Sequence, residues 1–220
     1  MKRLFDILSS FIGLLFLQPL FAVIAIMIKV DSAGPVFFRQ GRVGKNFRRF
    51  IIYKFRTMVL DAETKGLHIT SGGDNRITRV GGILRRFKID ELPQLYNVLK
   101  GDMSLVGPRP EVRKYVEWYK HDYERILSVR PGITDLSSIA FRNEEGILQG
   151  VGDPEHYYVH VLLPAKMRLA QEYIQHASFF YDVKLILKTL WEVIFPSRCS
   201  QKQDLHPPDI VPSQDRGGST

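Results

Sequence analysis

The sequence predicts a helix-rich α/β chain. It reads as an N-terminal re-entrant membrane helix–break–helix, a short β-hairpin, and a small cytosolic domain with interfacial amphipathic helices. Three observations predict this. Leu4 to Ile28 is a nearly unbroken apolar run with Pro19 inside it. Two stretches rich in β-branched and aromatic residues flank the turn-forming run Gly41 to Asn46. Apolar residues then recur at helical spacing from Phe179 to Ile194.

The apolar run is long enough to cross a bilayer, which takes roughly 20 residues. A secretory signal would have a shorter apolar core and a small-residue cleavage site, and Ile26-Met27-Ile28-Lys29 offers none. A buried soluble helix is disfavoured because no polar stripe repeats at helical spacing. Pro19 removes a backbone donor and clashes one turn back, so it kinks or breaks a helix. Gln18 places a polar group beside it. Lys2 and Arg3 precede the run, and Lys29, Arg39, Arg42, Lys45, Arg48 and Arg49 follow it. Positive charge on both flanks favours keeping both ends on the cytoplasmic side. That pattern suits a segment that enters and returns; a kinked single span is the competing reading.

Beyond the anchor, Val36–Gln40 and Phe50–Phe55 read as strands joined by the Gly41–Asn46 turn. Residues 61–78 read as a loop. Thr78 suits the cap of a helix to about Phe87. Asp90 suits the cap of another from Glu91 to about Lys100, which Gly101 ends. "VGPRPE" is a stiff extended connection, and Glu111 to Leu127 reads as one helix. Helical signals return from Val159 to His176. The Phe179–Phe195 helix is either core-facing or interfacial. From Pro196 the composition reads as a disordered tail.

At 220 residues the chain holds one domain plus appendages, with an ordinary 45% apolar and 25% charged content. Its net charge of +8 is not ordinary. It points to an anionic partner: nucleic acid, a membrane surface or a phosphorylated substrate. The single cysteine, Cys199, excludes an internal disulfide and cysteine-rich zinc sites.

The chemistry concentrates in "RRFKIDELPQ". Asp90 and Glu91 stand side by side, where two carboxylates repel unless cations offset them. Arg85, Arg86 and Lys88 precede them, Lys54 and Arg56 lie in "YKFRTM", and Arg109 lies in "GPRP". Ordinary helix capping explains the acids, and solvated charge explains each cation singly. Together they suit a phosphate pocket, with arginine gripping phosphate oxygens. Mg²⁺ is commonly held by one or two carboxylates plus substrate phosphates. An ionised carboxylate can also attack phosphorus and form an acyl phosphate. His156 and His160 lack the glutamate and third ligand of a zinc helix. No GxGxxG, P-loop or Asp-x-Asp motif occurs. The aromatics follow no RNA-recognition pattern, so no nucleic acid is expected.

"KFRTM", "DELPQLYNVLKGDMSLVGPRPE" and "RPGIT" resemble the bacterial sugar transferases, the monotopic phosphoglycosyl transferases that begin lipid-linked glycan assembly. The resemblance covers Met1 to about Pro196 and is closest to the minimal catalytic unit. "PGITDLSSIAFRNEEG" is similar to members that use undecaprenyl phosphate and UDP-N-acetylhexosamine donors. The resemblance implies an anchor over residues 1–30 broken at Pro19, with Gln18 where relatives often carry serine. It implies a catalytic domain over 31–195 and a tail over 196–220. Asp90 would attack the donor's β-phosphate, expel UMP and carry the phosphosugar until polyprenyl phosphate takes it. Glu91 would help hold Mg²⁺, with Asp90, or assist proton transfer. Lys54 would position the aspartate, and Arg85, Arg109, Arg56 and Arg130 would contact phosphate. The implied place is the cytoplasmic face of a bacterial inner membrane. A homodimer is left open. Donor choice is assigned to residues 68–75 or 141–152. Two rivals stand beside this reading: a non-catalytic basic scaffold on anionic lipid, and a transferase acting by direct displacement.

Overall fold

A computed structural model describes residues 1–60, 62 and 73–195 of the chain. The tail from 196, with Cys199, and residues 68–72 of the segment linked above to donor choice lie outside the described residues.

Helix α1 (Lys2–Asp31) is 30 residues long, about 45 Å at 1.5 Å per residue. Pro19 lies inside it. Where the sequence predicts two helices around a break, there is one. Proline withholds a single backbone bond, and the turns on either side hold the helix together. One face of α1 packs on the rest of the chain along its length. Asp6, Ser10, Ile24 and Ile28 are buried, Gly13 lies against Leu95, and Phe21 meets Phe55 edge-on at 5.1 Å. Asp6, Ser10 and Gly13 form the polar and small stripe that the sequence reading missed. The opposite face leaves Leu4, Leu8, Phe11, Leu15, Phe16, Val23 and Ile26 exposed.

Both ends of α1 are clasped. Lys2 Nζ donates to Asp182 at 2.5 Å, to the Tyr173 hydroxyl at 2.8 Å and to the Val106 carbonyl at 2.9 Å. Asp6 accepts from the Ser104 hydroxyl and the Leu105 amide. At the other end, Arg56 donates to the Ser32 and Ala33 carbonyls, each at 2.7 Å. Gly34 turns the chain there at φ 123°, and a Cβ on it would lie 2.0 Å from Arg56 Nη1.

Strands β1 (Phe37–Val43) and β2 (Arg49–Phe55) form an antiparallel hairpin that pairs Phe37 with Phe55 and Val43 with Arg49. β1 runs three residues past the predicted end because Val43 also pairs with Glu111. Helix α2 (Arg79–Arg86) starts at Thr78, whose hydroxyl accepts from the Gly81 amide. A 3-10 turn (Ile89–Glu91) leads through Leu92 and Pro93, both at helical angles, into α3 (Gln94–Lys100). Asp90 therefore sits in the turn and makes no capping bond, contrary to expectation. Gly101 ends α3 at φ 101°, as predicted. Asn97 on α3 stitches to the open edge of β2: its Nδ2 donates to the Ile51 carbonyl at 2.7 Å, and its Oδ1 accepts from the Tyr53 amide at 3.1 Å.

Strand β3 (Ser104–Val106) pairs in parallel with β4 (Gly132–Thr134), joining "SLVG" to "PGIT". The backbones approach so closely that a Cβ on Gly132 would lie 2.1 Å from the Gly107 amide nitrogen. Between them the predicted single helix is two, α4 (Arg113–Trp118) and α5 (Lys120–Ile126), broken at Tyr119 with φ −119° and ψ 39°. Then come α6 (Leu136–Ala140), α7 (Glu144–Gln149) and α8 (Pro154–Tyr157). A π-helical stretch (Tyr158–Leu162) enters α9 (Leu163–His176), and Ser178 caps α10 (Phe179–Ile194). Leu148, Tyr158, Leu162 and Leu163 anchor one of the main core clusters. Helix α10 turns Asp182 and Leu185 inward and leaves Phe180, Leu187, Leu190 and Trp191 exposed. Phe5 meets Phe179 edge-on at 5.3 Å, so the starts of α1 and α10 touch.

Candidate active site

The Asp90–Glu91 pair sits at the junction of β2, the 3-10 turn and the segment leaving β3. The local sequence explains the placement. β2 brings Lys54 from one side. Pro108 and Pro110 stiffen the chain beyond β3 and bring Arg109 from another. Both residues of the pair are buried, yet they are treated differently.

Glu91 is locked. Its Oε1 accepts from Lys54 Nζ at 2.6 Å and from Arg109 Nη2 at 2.6 Å, and Arg109 Nη1 lies 3.4 Å from Oε2. Burial alone would raise its pKa, but the charges of Arg109 and Lys54 outweigh burial and hold it well below the usual carboxylate range. Burial lowers the Lys54 pKa, and Glu91 opposes that. Glu91 in turn raises the Arg109 pKa further. Arg109 also reaches the Ser138 hydroxyl at 3.4 Å. Asp135 fixes that serine's backbone by accepting from its amide at 2.8 Å.

Asp90 is free. Its Oδ1 is enclosed and has no hydrogen-bond partner. Burial raises its pKa, Lys54 pulls it back down, and Glu91 adds to the rise. One carboxylate is thus held as a permanent anion between two cations, and its neighbour keeps an oxygen available. Repulsion between adjacent acids is relieved by division of labour.

The predicted cations separate. Lys54 and Arg109 meet the pair, but Lys54 holds Glu91 and not the aspartate. Arg85 stands near enough for its charge to act on Asp90. It is bonded to Glu145 at 2.9 Å and to the Thr57 hydroxyl at 3.3 Å. Arg56 is not at the site: it is buried and clasps the end of α1. Arg130 is not there either. It donates to the Gly101 carbonyl, at the end of α3 away from the pair. Gln18 and Pro19 lie exposed on α1.

Of the cations before the pair, Lys88 acts at the site, and sequence reasoning assigned no role to Glu144, Glu145 or Gln94. Lys88 holds a left-handed backbone, φ 57°, two residues before Asp90, and its charge acts on both acids. Glu144 and Glu145 take Lys166 at 2.7 Å and Arg85 at 2.9 Å. They repeat the signature of adjacent acids, which was the signal available. Gln94 is buried with an unpartnered amide nitrogen.

The residues fit a magnesium ion. Asp90 Oδ1 is unspent, and Glu91 Oε2 has only the long contact to Arg109. Carboxylate oxygens of this kind, completed by substrate phosphate, are what Mg²⁺ prefers. The described residues contain no group of three or more metal-ligating side chains, so most of the coordination would come from substrate and water.

The profile of the family described as bacterial sugar transferase matches residues 1–196. The chain is 38% identical over 200 residues to the UDP-N-acetylgalactosamine-undecaprenyl-phosphate N-acetylgalactosaminephosphotransferase of Aeromonas hydrophila, covering 88% of this chain and 43% of that protein. It is 40% identical over 201 residues to the undecaprenyl-phosphate glucose phosphotransferase of Komagataeibacter xylinus, covering 88% and 36%. It is 39% identical over 199 residues to the exopolysaccharide production protein PSS of Rhizobium leguminosarum bv. phaseoli, covering 86% and 93%. The chain spans less than half of the first two and nearly all of the third.

Proposed function

Because the chain belongs to the bacterial sugar transferase family, we propose that it transfers a sugar 1-phosphate from a UDP-sugar to undecaprenyl phosphate, releasing UMP. The observation that carries the reading is the contrast within the acid pair: Glu91 is locked by Lys54 and Arg109, while Asp90 Oδ1 is buried and free. In this reading an Asp90 oxygen attacks the donor's β-phosphorus. The new O–P bond makes an acyl phosphate, and the bond to UMP breaks. A phosphate oxygen of the lipid then attacks the same phosphorus, forms the diphosphate and frees Asp90. Lys54 and Arg109 keep Glu91 ionised and in place, and Arg85 and Lys88 offer charge to the incoming phosphates. Magnesium, held by Asp90 and Glu91, would neutralise diphosphate charge when bound.

The same reading puts the chain on the cytoplasmic face of a bacterial inner membrane, with both ends of α1 on that side and its exposed apolar face towards lipid. What supports this is that one domain grips both ends of α1, whereas a straight span would carry one end away. The apolar faces of α1 and α10 would meet lipid, with α10 in the headgroup plane. The donor is read as an N-acetylhexosamine type. The two relatives above whose names state a sugar differ, one N-acetylgalactosamine and one glucose, so a panel of UDP-sugars decides it.

The test is UMP release with polyprenyl phosphate. Asp90→Asn should lower it at least ~1,000-fold while membrane association persists. Donor without lipid should add the mass of the sugar phosphate to the peptide containing Asp90. Normal turnover by Asp90→Asn would remove the nucleophile assignment. Turnover with no adduct would favour direct displacement.

A further inference from the structure

The buried side of the run from Ile89 to Lys100 carries Asp90 and Glu91, then Gln94, then Asn97 and Val98. These positions are three to four apart, as neighbours on one side of a helix must be. Glu91 and Asn97 have their polar atoms engaged, the first by Lys54 and Arg109 and the second by the edge of β2. Asp90 Oδ1 and Gln94 Nε2 have no partner, although Gln94 is only 2% exposed. One orphan is an acceptor and the other a donor, a turn apart. Folded chains rarely leave buried amide N–H groups unbonded, and the exceptions call for an explanation. Asn97 shows that an amide on this helix face can be fully used. The unspent amide therefore points to a ligand that brings its own acceptor oxygen next to Asp90.

Taking the reading of Asp90 given under Proposed function, we propose that Gln94 is a catalytic residue: its Nε2–H donates to a non-bridging oxygen of the phosphoryl group as that group moves onto and off Asp90. As the Asp90–phosphorus bond forms and the bond to UMP breaks, charge spreads over those oxygens. A fixed neutral donor stabilises it there. Gln94 exchanges no proton and forms no covalent bond. Being uncharged, it would not compete with Glu91 for Lys54 or Arg109.

The test uses the full chain in detergent micelles with two variants. Gln94→Leu removes the donor. Gln94→Glu keeps the shape and turns the donor into an acceptor; it decides the matter if the leucine variant melts more than about 5 °C low. Both are assayed for first-turnover UMP release with a normal UDP-sugar and with each diastereomer of a donor carrying sulfur at a non-bridging β-phosphate position. Each variant should slow release on the order of 100-fold. Sulfur accepts hydrogen bonds poorly, so one diastereomer should be penalised in the parent and much less in the variants. Rates within threefold of the parent overturn the proposal. Slow variants with an unchanged sulfur penalty overturn it too, since that is the mark of a merely structural glutamine. If the parent forms no adduct on Asp90, the covalent reading fails by itself. Gln94 is then judged by the same sulfur comparison in steady state with lipid.

Discussion

Replacing Asn97 with leucine tests how the acid pair is held in register with Lys54. Asn97 is fully buried, and leucine has the same branched outline and more bulk, so the change leaves no void. It removes two bonds and strands two backbone groups, the Ile51 carbonyl and the Tyr53 amide. Each stranded group costs about 1–3 kcal/mol. A loss of about 4 kcal/mol is therefore the central expectation, and for a domain of this size it lowers Tm by roughly 8–16 °C. Lys54 follows Tyr53 directly, so a loosened β2 also slackens its 2.6 Å contact with Glu91. UMP release at 25 °C, well below the transition, should fall as well. Thermal circular dichroism in detergent gives the first number and the release assay the second. A Tm within about 2 °C of the parent would refute the claim that this side chain ties α3 to the hairpin.

Two other outcomes follow from the geometry. In a Cys199→Ser background, cysteines at Met1 and at Lys45 should both resist a membrane-impermeant reagent applied from the periplasm; labelling at Met1 alone would mean that α1 crosses the bilayer. Burial raises the Glu144 pKa, but Lys166, joined by the charges of Arg109 and Lys88, more than offsets it, so the folded value is lowered. A depressed acid contributes stability above its unfolded pKa of about 4.3, and the contribution is lost as pH falls through the folded value. Glu144→Gln should therefore melt below the parent at pH 7, by the equivalent of about 1.5 kcal/mol for a charge-assisted bond, and the gap should close towards pH 3.5; an equal gap at both would rule out this ion pair as the cause.

Much of the local structure was legible because it is written in short-range rules. Thr78 caps α2 and Gly101 ends α3 through their own backbone preferences. The hairpin follows from two stretches of strand-forming residues around a turn. What escaped depends on distant partners. The parallel pairing of Ser104 with Gly132 joins segments that have no periodicity to announce it. Tyr119 splits a helix where its hydroxyl donates to the distant Val159 carbonyl. The inward stripe of α1 was present at spacings of four and three, but surrounding leucine and phenylalanine masked it. At the site, identity as a cation was readable and choice of partner was not. Arg56 and Arg109 look alike in sequence, yet one meets backbone carbonyls and the other a carboxylate. Gln94 gave no signal beyond its nearness to the acids, since an amide declares its role only by what it fails to bond.

The Arg56 clasp has a mechanical side. Lys54 and Arg56 are two steps apart on one extended backbone, a lever only about 7 Å long. One end grips Ser32 and Ala33, just past the long apolar helix, and the other grips Glu91. A tug on that helix would be relayed to the lysine without passing through any flexible linker.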